Sequence, residues 1–249
     1  MMSCSDGQDT SGPLAIFQNK RLYDPSLTCV NCECAGGYYG PLDVDSLAAS
    51  SAEFISANSD GDKATLSRIV GDFLTFATRD CTSAASRGGS THSCWLSIRM
   101  TLPTNAWAIP RWHTDGRMFS CTCPDQKQAM HSKYAVSLIG PATRVMSTSE
   151  AVSAIVKGPD EQTRRRWDTS RPNEALALKL RDYPEAEVDV GQIIRFSWGQ
   201  FDSPVHSEPD VTDLHRVFIS VLFAAEPEIR DMCRFRGTQY GKWFQSVSA

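Results

Sequence analysis

Residues 109–119 read IPRWHTDGRMF, and the fold turns on how His113 and Asp115 are read. Side chains two apart on a strand point to the same face, so an imidazole and a carboxylate converge there. The pair suits a metal ion. It equally suits an ordinary His–Asp hydrogen bond, and a third ligand decides between the two.

The surrounding sequence supplies strands. SCWLSIRMTL (93–102) alternates polar and apolar residues, and KYAVSLIGPATRVMS (133–147) reads as a strand, a Gly-Pro turn and a second strand. VDVGQIIRFSW (188–198) and the β-branched LHRVFISVLFA (214–224) add two more. Helices lie before and between them. DKATLSRIVGDFLTFATR (62–79) places Leu66, Ile69, Val70, Phe73, Leu74 and Ala77 at helical spacing, and the Gly-rich SAASRGGST ends that helix. Ser147 and Glu150 form a capping-box pattern ahead of a short helix, and NEALALKLRD (173–182) favours another. Strands dominate the second half without regular βαβ alternation, so a sheet or barrel packed with helices is expected. Residues 1–45, rich in Gly, Ser, Pro and Cys, are expected to form an irregular wrap.

The totals exclude several classes. A chain of 249 residues with 41% hydrophobic and 22% charged residues can bury a sizeable core. A formal charge of −4 gives no basic footprint for nucleic acid, and RRRW (164–167), the dense basic run, reads as a solvated loop or helix end. No stretch approaches the roughly 20 apolar residues that span a bilayer. The N-terminal MMSCSDGQDTSG lacks the basic and apolar regions of a secretory signal. A cytoplasmic chain with free thiols is therefore expected. Cys29, Cys32 and Cys34 have metal-like spacing, but Cys121 and Cys123 are the sole candidate complement for a zinc site.

Five histidines exist, at 92, 113, 131, 206 and 215. His206 lies in FDSPVHSEPD at a strand end, and Arg216 follows ten residues later. On the 216–223 strand Arg216, Phe218 and Ser220 share one face, while His215, Val217 and Ile219 share the other. His215 could replace His206 as a ligand, but no Arg would then stand at the matching distance. His131 reads as a loop histidine.

This order of H-x-D, a distal His and an Arg about ten residues on resembles the iron(II)/2-oxoglutarate-dependent dioxygenase superfamily. The motifs cover roughly residues 109–223. The wider phrase PRWHTDGRMF…LIGPATRVM also resembles small fungal members that act on amino acids or secondary metabolites. The resemblance implies a mainly β chain with flanking α-helices around a double-stranded β-helix (a cupin-like jelly roll). It implies one domain over 1–249, with the jelly-roll core at 93–225 and a helical insertion at about 147–182. His113, Asp115 and His206 would hold Fe(II) on one face, as two His and one carboxylate do in such sites. Arg216 would pair with the far carboxylate of 2-oxoglutarate, a task suited to a planar guanidinium. The superfamily often carries Ser or Thr two residues after that Arg. Here Phe218 stands there, so Ser220, Tyr134 or Thr143 would supply the supporting hydroxyl. Arg117, Trp112 and Phe119 are candidates for substrate contact, with surface and core roles as their alternatives.

The implied activity is oxidation of a C–H bond in a small molecule by molecular oxygen, as hydroxylation, desaturation or cyclisation. Asp115 fills the carboxylate position, which disfavours a halogenase. Two rival readings remain: a cupin-like iron oxygenase that uses no 2-oxoglutarate, with Arg216 clamping the substrate, and a non-catalytic degenerate barrel.

Overall fold

The computed structural model describes residues 12–83, 90–115, 131–157, 169–199 and 202–247. The chain is mainly β. Ten strands are present among the described residues: β1 (Leu14–Arg21), β2 (Cys34–Pro41), β3 (Ser93–Thr101), β4 (His131–Ile139), β5 (Arg144–Met146), β6 (Glu185–Ala186), β7 (Gln192–Trp198), β8 (His206–Ser207), β9 (Arg216–Ala224) and β10 (Lys242–Val247). Five helices accompany them: α1 (Val44–Ala57), α2 (Lys63–Cys81), α3 (Glu150–Lys157), α4 (Glu174–Leu180) and α5 (Glu226–Phe235). Seven strands form one sheet in the order β1-β7-β4-β9-β3-β2-β10, and β6-β5-β8 form a second, smaller sheet. Their pairings are antiparallel. This arrangement is compatible with a jelly-roll core.

The β-branched run that forms β9 lies at the centre of the large sheet, between β4 and β3. Its alternate residues face different worlds. Val217, Ile219 and Val221 join an apolar cluster with Leu96 and Ile98 of β3, Val136 and Leu138 of β4, and the buried faces of α1 and α2. The α2 residues in that cluster are those whose spacing predicts the helix, and Leu66, Val70, Phe73, Leu74 and Ala77 are fully buried. Each large apolar side chain so buried stabilises the fold by about 1.5–3 kcal/mol. Asp62 caps α2 by accepting from the Thr65 N–H, and Asp43 caps α1 by accepting from Ser46. No helix among the described residues is long and apolar enough to cross a membrane.

Three local expectations are corrected. The described part of the expected irregular wrap, residues 12–45, instead holds β1 and β2, which extend the large sheet on both sides. In CAGGYYGP the glycines hide the strand signal, and packing is their reason. A Cβ on Gly37 would meet the Leu96 carbonyl at 2.5 Å, and one on Gly36 would press the Phe54 ring at 3.0 Å. The helix after β5 is capped by Ser149, whose Oγ accepts from the Val152 N–H at 3.2 Å, rather than by Ser147. His131 is no loop histidine. It is buried on β4 and bonded through Nε2 to Glu228 Oε1 at 3.0 Å.

Candidate metal centre

His113 and His206 are tied backbone to backbone. The His113 N–H donates to the His206 carbonyl at 2.9 Å, and the His206 N–H returns the bond at 2.8 Å. His206 also pairs with Val145 of β5 on its other side. The small sheet thus sets the separation of the two imidazoles, whose ring centroids lie 4.3 Å apart. Each ring is oriented by a carbonyl. His113 Nδ1 lies 2.8 Å from the Arg111 carbonyl oxygen, and His206 Nδ1 lies 3.1 Å from that of Pro204. A carbonyl only accepts, so Nδ1 carries a proton in both rings and Nε2 is the nitrogen left to meet a metal. That is the tautomer a metal ligand needs, held as such ligands are usually held.

Asp115 completes the group. Its Oδ1 is 3.9 Å from His113 Nε2, and its Oδ2 is 3.4 Å from His206 Nε2. One ligand atom from each of the three residues lies within 4.8 Å of the others, the one such metal-capable group among the described residues. One ion with bonds near 2.0–2.2 Å can bridge that spacing with sub-ångström adjustment. Two imidazole nitrogens and one carboxylate on one side of an ion make a donor set that suits iron(II) and leaves further positions open.

The protonation states agree. Burial, then neighbouring His206 and Arg111, push His113 down to about 3, so its imidazole is neutral at pH 7. Burial alone would raise Asp115. The Lys133 ammonium, 2.7 Å from Oδ2, outweighs it and holds the carboxyl well below its usual range. Lys133 lies among the Trp95, Phe196 and Trp198 rings, at 5.6, 5.6 and 5.1 Å from their centroids.

The centre opens on a cavity of about 230 Å³. Arg216, Phe218 and Ser220 line it from β9, and Trp95, Ser97 and Arg99 line it from β3. The Arg216 guanidinium is buried, and among the described residues no carboxylate reaches salt-bridge distance of it. Burial pulls it down to about 9, which still leaves it charged at neutral pH. Its Nε donates to the Pro141 carbonyl at 3.0 Å and its Nη2 to Thr143 Oγ1 at 3.2 Å. The Gly-Pro turn makes this clamp possible. Gly140 has φ +73°, and a Cβ there would meet the His215 carbonyl at 2.2 Å.

The remaining sequence candidates fall differently. Thr143 and Ser220 line the cavity. Tyr134 does not, because it points to the opposite face of β4 and donates to Asp80 Oδ2 at 2.7 Å. Trp112 packs with Met146, Val152 and Leu176 in an apolar cluster and lines a separate cavity beside α4. Arg117, Phe119, Cys121 and Cys123 lie outside the described residues, whereas Cys29, Cys32 and Cys34 are free thiols. His215 faces away from the centre, accepting from the Val30 N–H at 3.3 Å.

Several groups at the centre escape the sequence reading. Arg111 donates to both oxygens of Glu208, at 3.0 and 2.6 Å, and its Nη2 approaches His113 Nε2 at 3.2 Å. Burial alone would raise Glu208, but Arg111 outweighs it and holds the carboxyl down at about 2. A signal existed, since Arg111 precedes His113 by two and Glu208 follows His206 by two. Lys133 and Trp95 carried none beyond strand alternation.

No protein-family profile matches the chain, and no curated protein does. Among solved structures, the chain is similar to EvdMO1, at 16% identity over 53% of this chain with a TM-score of 0.28, and spans 26% of that protein's length. It is also similar to a viral collagen prolyl hydroxylase from Paramecium bursaria Chlorella virus-1. That likeness has 11% identity over 76% of this chain and 90% of the other, with a TM-score of 0.32. Similarities this distant add nothing to the reading of the site, which rests on its own geometry.

Proposed function

We propose that the protein is an iron(II)/2-oxoglutarate-dependent oxygenase that oxidises a C–H bond of a small molecule. One observation supports this reading above the others. A two-His, one-carboxylate donor set and a buried guanidinium with no carboxylate partner among the described residues line the same small cavity. A buried charge without a counter-charge is costly, and an anionic co-substrate would offset that cost in each catalytic cycle.

The bound iron would activate oxygen with electrons from 2-oxoglutarate, whose other products are succinate and carbon dioxide. The chain's part is positioning. His113, Asp115 and His206 take three ligand positions, fixed by the small sheet and by their carbonyl partners. Arg216, aimed by Pro141 and Thr143, would pair with the far carboxylate of the co-substrate through two parallel hydrogen bonds. Lys133 holds Asp115 in its ionised, ligating form. Trp95, Phe196 and Phe218 make the walls apolar and keep bulk water from the reacting carbon.

The test is a screen of small acids and amino acids with iron(II), ascorbate and 2-oxoglutarate, scored for substrate-dependent succinate. Succinate matched by substrate loss is the expected result. Substrate loss with oxygen uptake but no succinate would favour the 2-oxoglutarate-independent oxygenase, with Arg216 clamping the substrate. Protein purified without chelators that carries no metal and takes up none would favour the non-catalytic barrel.

A further inference from the structure

Two cations of the chain bond directly to atoms of the candidate ligand set. Lys133 Nζ donates to Asp115 Oδ2 at 2.7 Å, and Arg111 Nη2 lies 3.2 Å from His113 Nε2. A guanidinium offers no acceptor, so Nη2 is the donor and the Nε2 lone pair receives it. The two contacts leave an ion different opportunities. Asp115 has a second oxygen, Oδ1, which lies 3.9 Å from His113 Nε2. An ion can take Oδ1 while Lys133 stays on Oδ2. His113 has no such reserve. Its Nδ1 donates to the Arg111 carbonyl at 2.8 Å, and Nε2 has one lone pair, which meets an N–H or an ion but not both.

Arg111 is held at that spot from its other side. Its Nε donates to Glu208 Oε2 at 3.0 Å, its Nη2 to Oε1 at 2.6 Å and its Nη1 to the Thr169 carbonyl at 3.3 Å. The Arg111 N–H also donates to Ser207 Oγ at 2.9 Å, which fixes the backbone from which the side chain starts. Each terminal nitrogen of a guanidinium carries two N–H donors. Nη2 can therefore leave His113 and keep its bond to Glu208. The release asks for a shift of one side chain and leaves the β-ladder between His113 and His206 intact.

Building on the reading of this site as a metal centre, we infer that Arg111 competes with the ion for His113. It occupies Nε2 before an ion binds and yields that atom on loading, with Glu208 retaining the released guanidinium beside the centre. Arg111 is thus a positioning residue that holds metal affinity below what His113, Asp115 and His206 alone would give. Lys133, by the same reasoning, keeps its place whether or not an ion is bound.

The test compares manganese(II) affinity, by calorimetry, in wild type, Arg111→Lys and Arg111→Gln, with melting curves to confirm that each is folded. Lysine keeps the charge that Glu208 needs, but a single ammonium cannot span two carboxylate oxygens and an imidazole as the planar fork does. Arg111→Lys should bind manganese(II) about tenfold tighter, close to the low end of what a hydrogen bond to a charged group contributes. Nitrogen-15 NMR of histidine-labelled apoprotein should show His113 Nε2 as a hydrogen-bond acceptor in wild type and not in Arg111→Lys. In wild type, which needs no variant to fold, zinc(II) should shift the Arg111 Nε–H resonance. Equal affinity in all three proteins would overturn the inference. A gain confined to Arg111→Gln would also overturn it, since the residue would then act through its charge alone. So would a His113 signal that ignores the Lys variant, or an Arg111 resonance that ignores zinc(II). Wild type that binds neither ion would strike the metal-centre reading itself, and the inference with it.

Discussion

Two buried arginines on one sheet have opposite circumstances. Arg195 of β7 faces the helical side, where Asp80 at the end of α2 meets its Nη1 at 2.8 Å and also accepts the Tyr134 hydroxyl. Arg216 of β9 faces the cavity, where a carbonyl and a hydroxyl accept its hydrogen bonds and the Phe218 ring lies 4.5 Å from its guanidinium. Both are almost completely buried, at 2% and 5% exposure. A buried charge whose partner is in the chain ties elements together. A buried charge with no carboxylate partner among the described residues is open to one from a ligand.

The comparison breaks most visibly at the metal ligands of the cavity side. Asp115→Ala should abolish substrate oxidation and weaken metal binding by more than the roughly 10–100-fold typical of losing an outer partner alone. The fold should persist, with a lowered unfolding midpoint, because no large apolar cavity is created but Lys133 loses the carboxylate that pairs with its largely buried ammonium. Full activity in this variant would reduce His113 and Asp115 to an ordinary hydrogen-bonded pair. Calorimetric titration with iron(II) or manganese(II) and a melting curve on one preparation decide it.

Arg216→Leu should come next. It should cost about 2–5 kcal/mol in 2-oxoglutarate binding, the usual loss when a buried charged pair is truncated. Metal affinity should remain near wild type, and the melting temperature should stay or rise because an uncompensated charge is removed. Its counterpart, Asp80→Ala, should do the reverse. Leaving Arg195 buried without its carboxylate should destabilise the fold by about 3 kcal/mol while 2-oxoglutarate affinity measured on folded protein stays unchanged. If both variants altered stability alike, the distinction between the two arginines would fall.

The sequence showed one face of this sheet far better than the other. On the helical face the period of α2 and the alternation of β3, β4 and β9 are consequences of burial, so composition alone exposes them. On the cavity face His113, Asp115, His206 and Arg216 were legible because their order along the chain is itself a pattern. Lys133 and Trp95 were not. Their roles come from strand register and from α5 folding back on Trp95, which are long-range facts with no local trace. The same holds for β2 and β10, where pairing with a neighbour overrides glycine-rich or unpatterned sequence.

A smaller effect concerns α5, which carries Arg236 to the cavity. Burial alone would raise the Glu228 carboxyl. Hydrogen bonds from His131 and from the Ala225 N–H, at 3.0 and 2.8 Å, outweigh it and hold the group below its usual value. The sign follows from that depression. The stability Glu228 contributes is fully present above the unfolded pKa of about 4.3 and is lost as pH falls through the lower folded value. Glu228→Gln should therefore melt lower than wild type at pH 7, with the gap closing as pH falls below the unfolded pKa of about 4.3. A gap independent of pH would mean that packing of the side chain, not its charge, seats α5.

The mutual hydrogen bonds between His113 and His206 carry a consequence for how the ion comes and goes. Donor spacing here is a property of the β-ladder, so the binding site exists before any ion arrives. In a zinc finger the metal is the keystone, and withdrawing it brings down the arch. An ion here would be a tenant. Its binding energy would not be spent on ordering the chain, and its loss and return would read as simple equilibria on a folded protein.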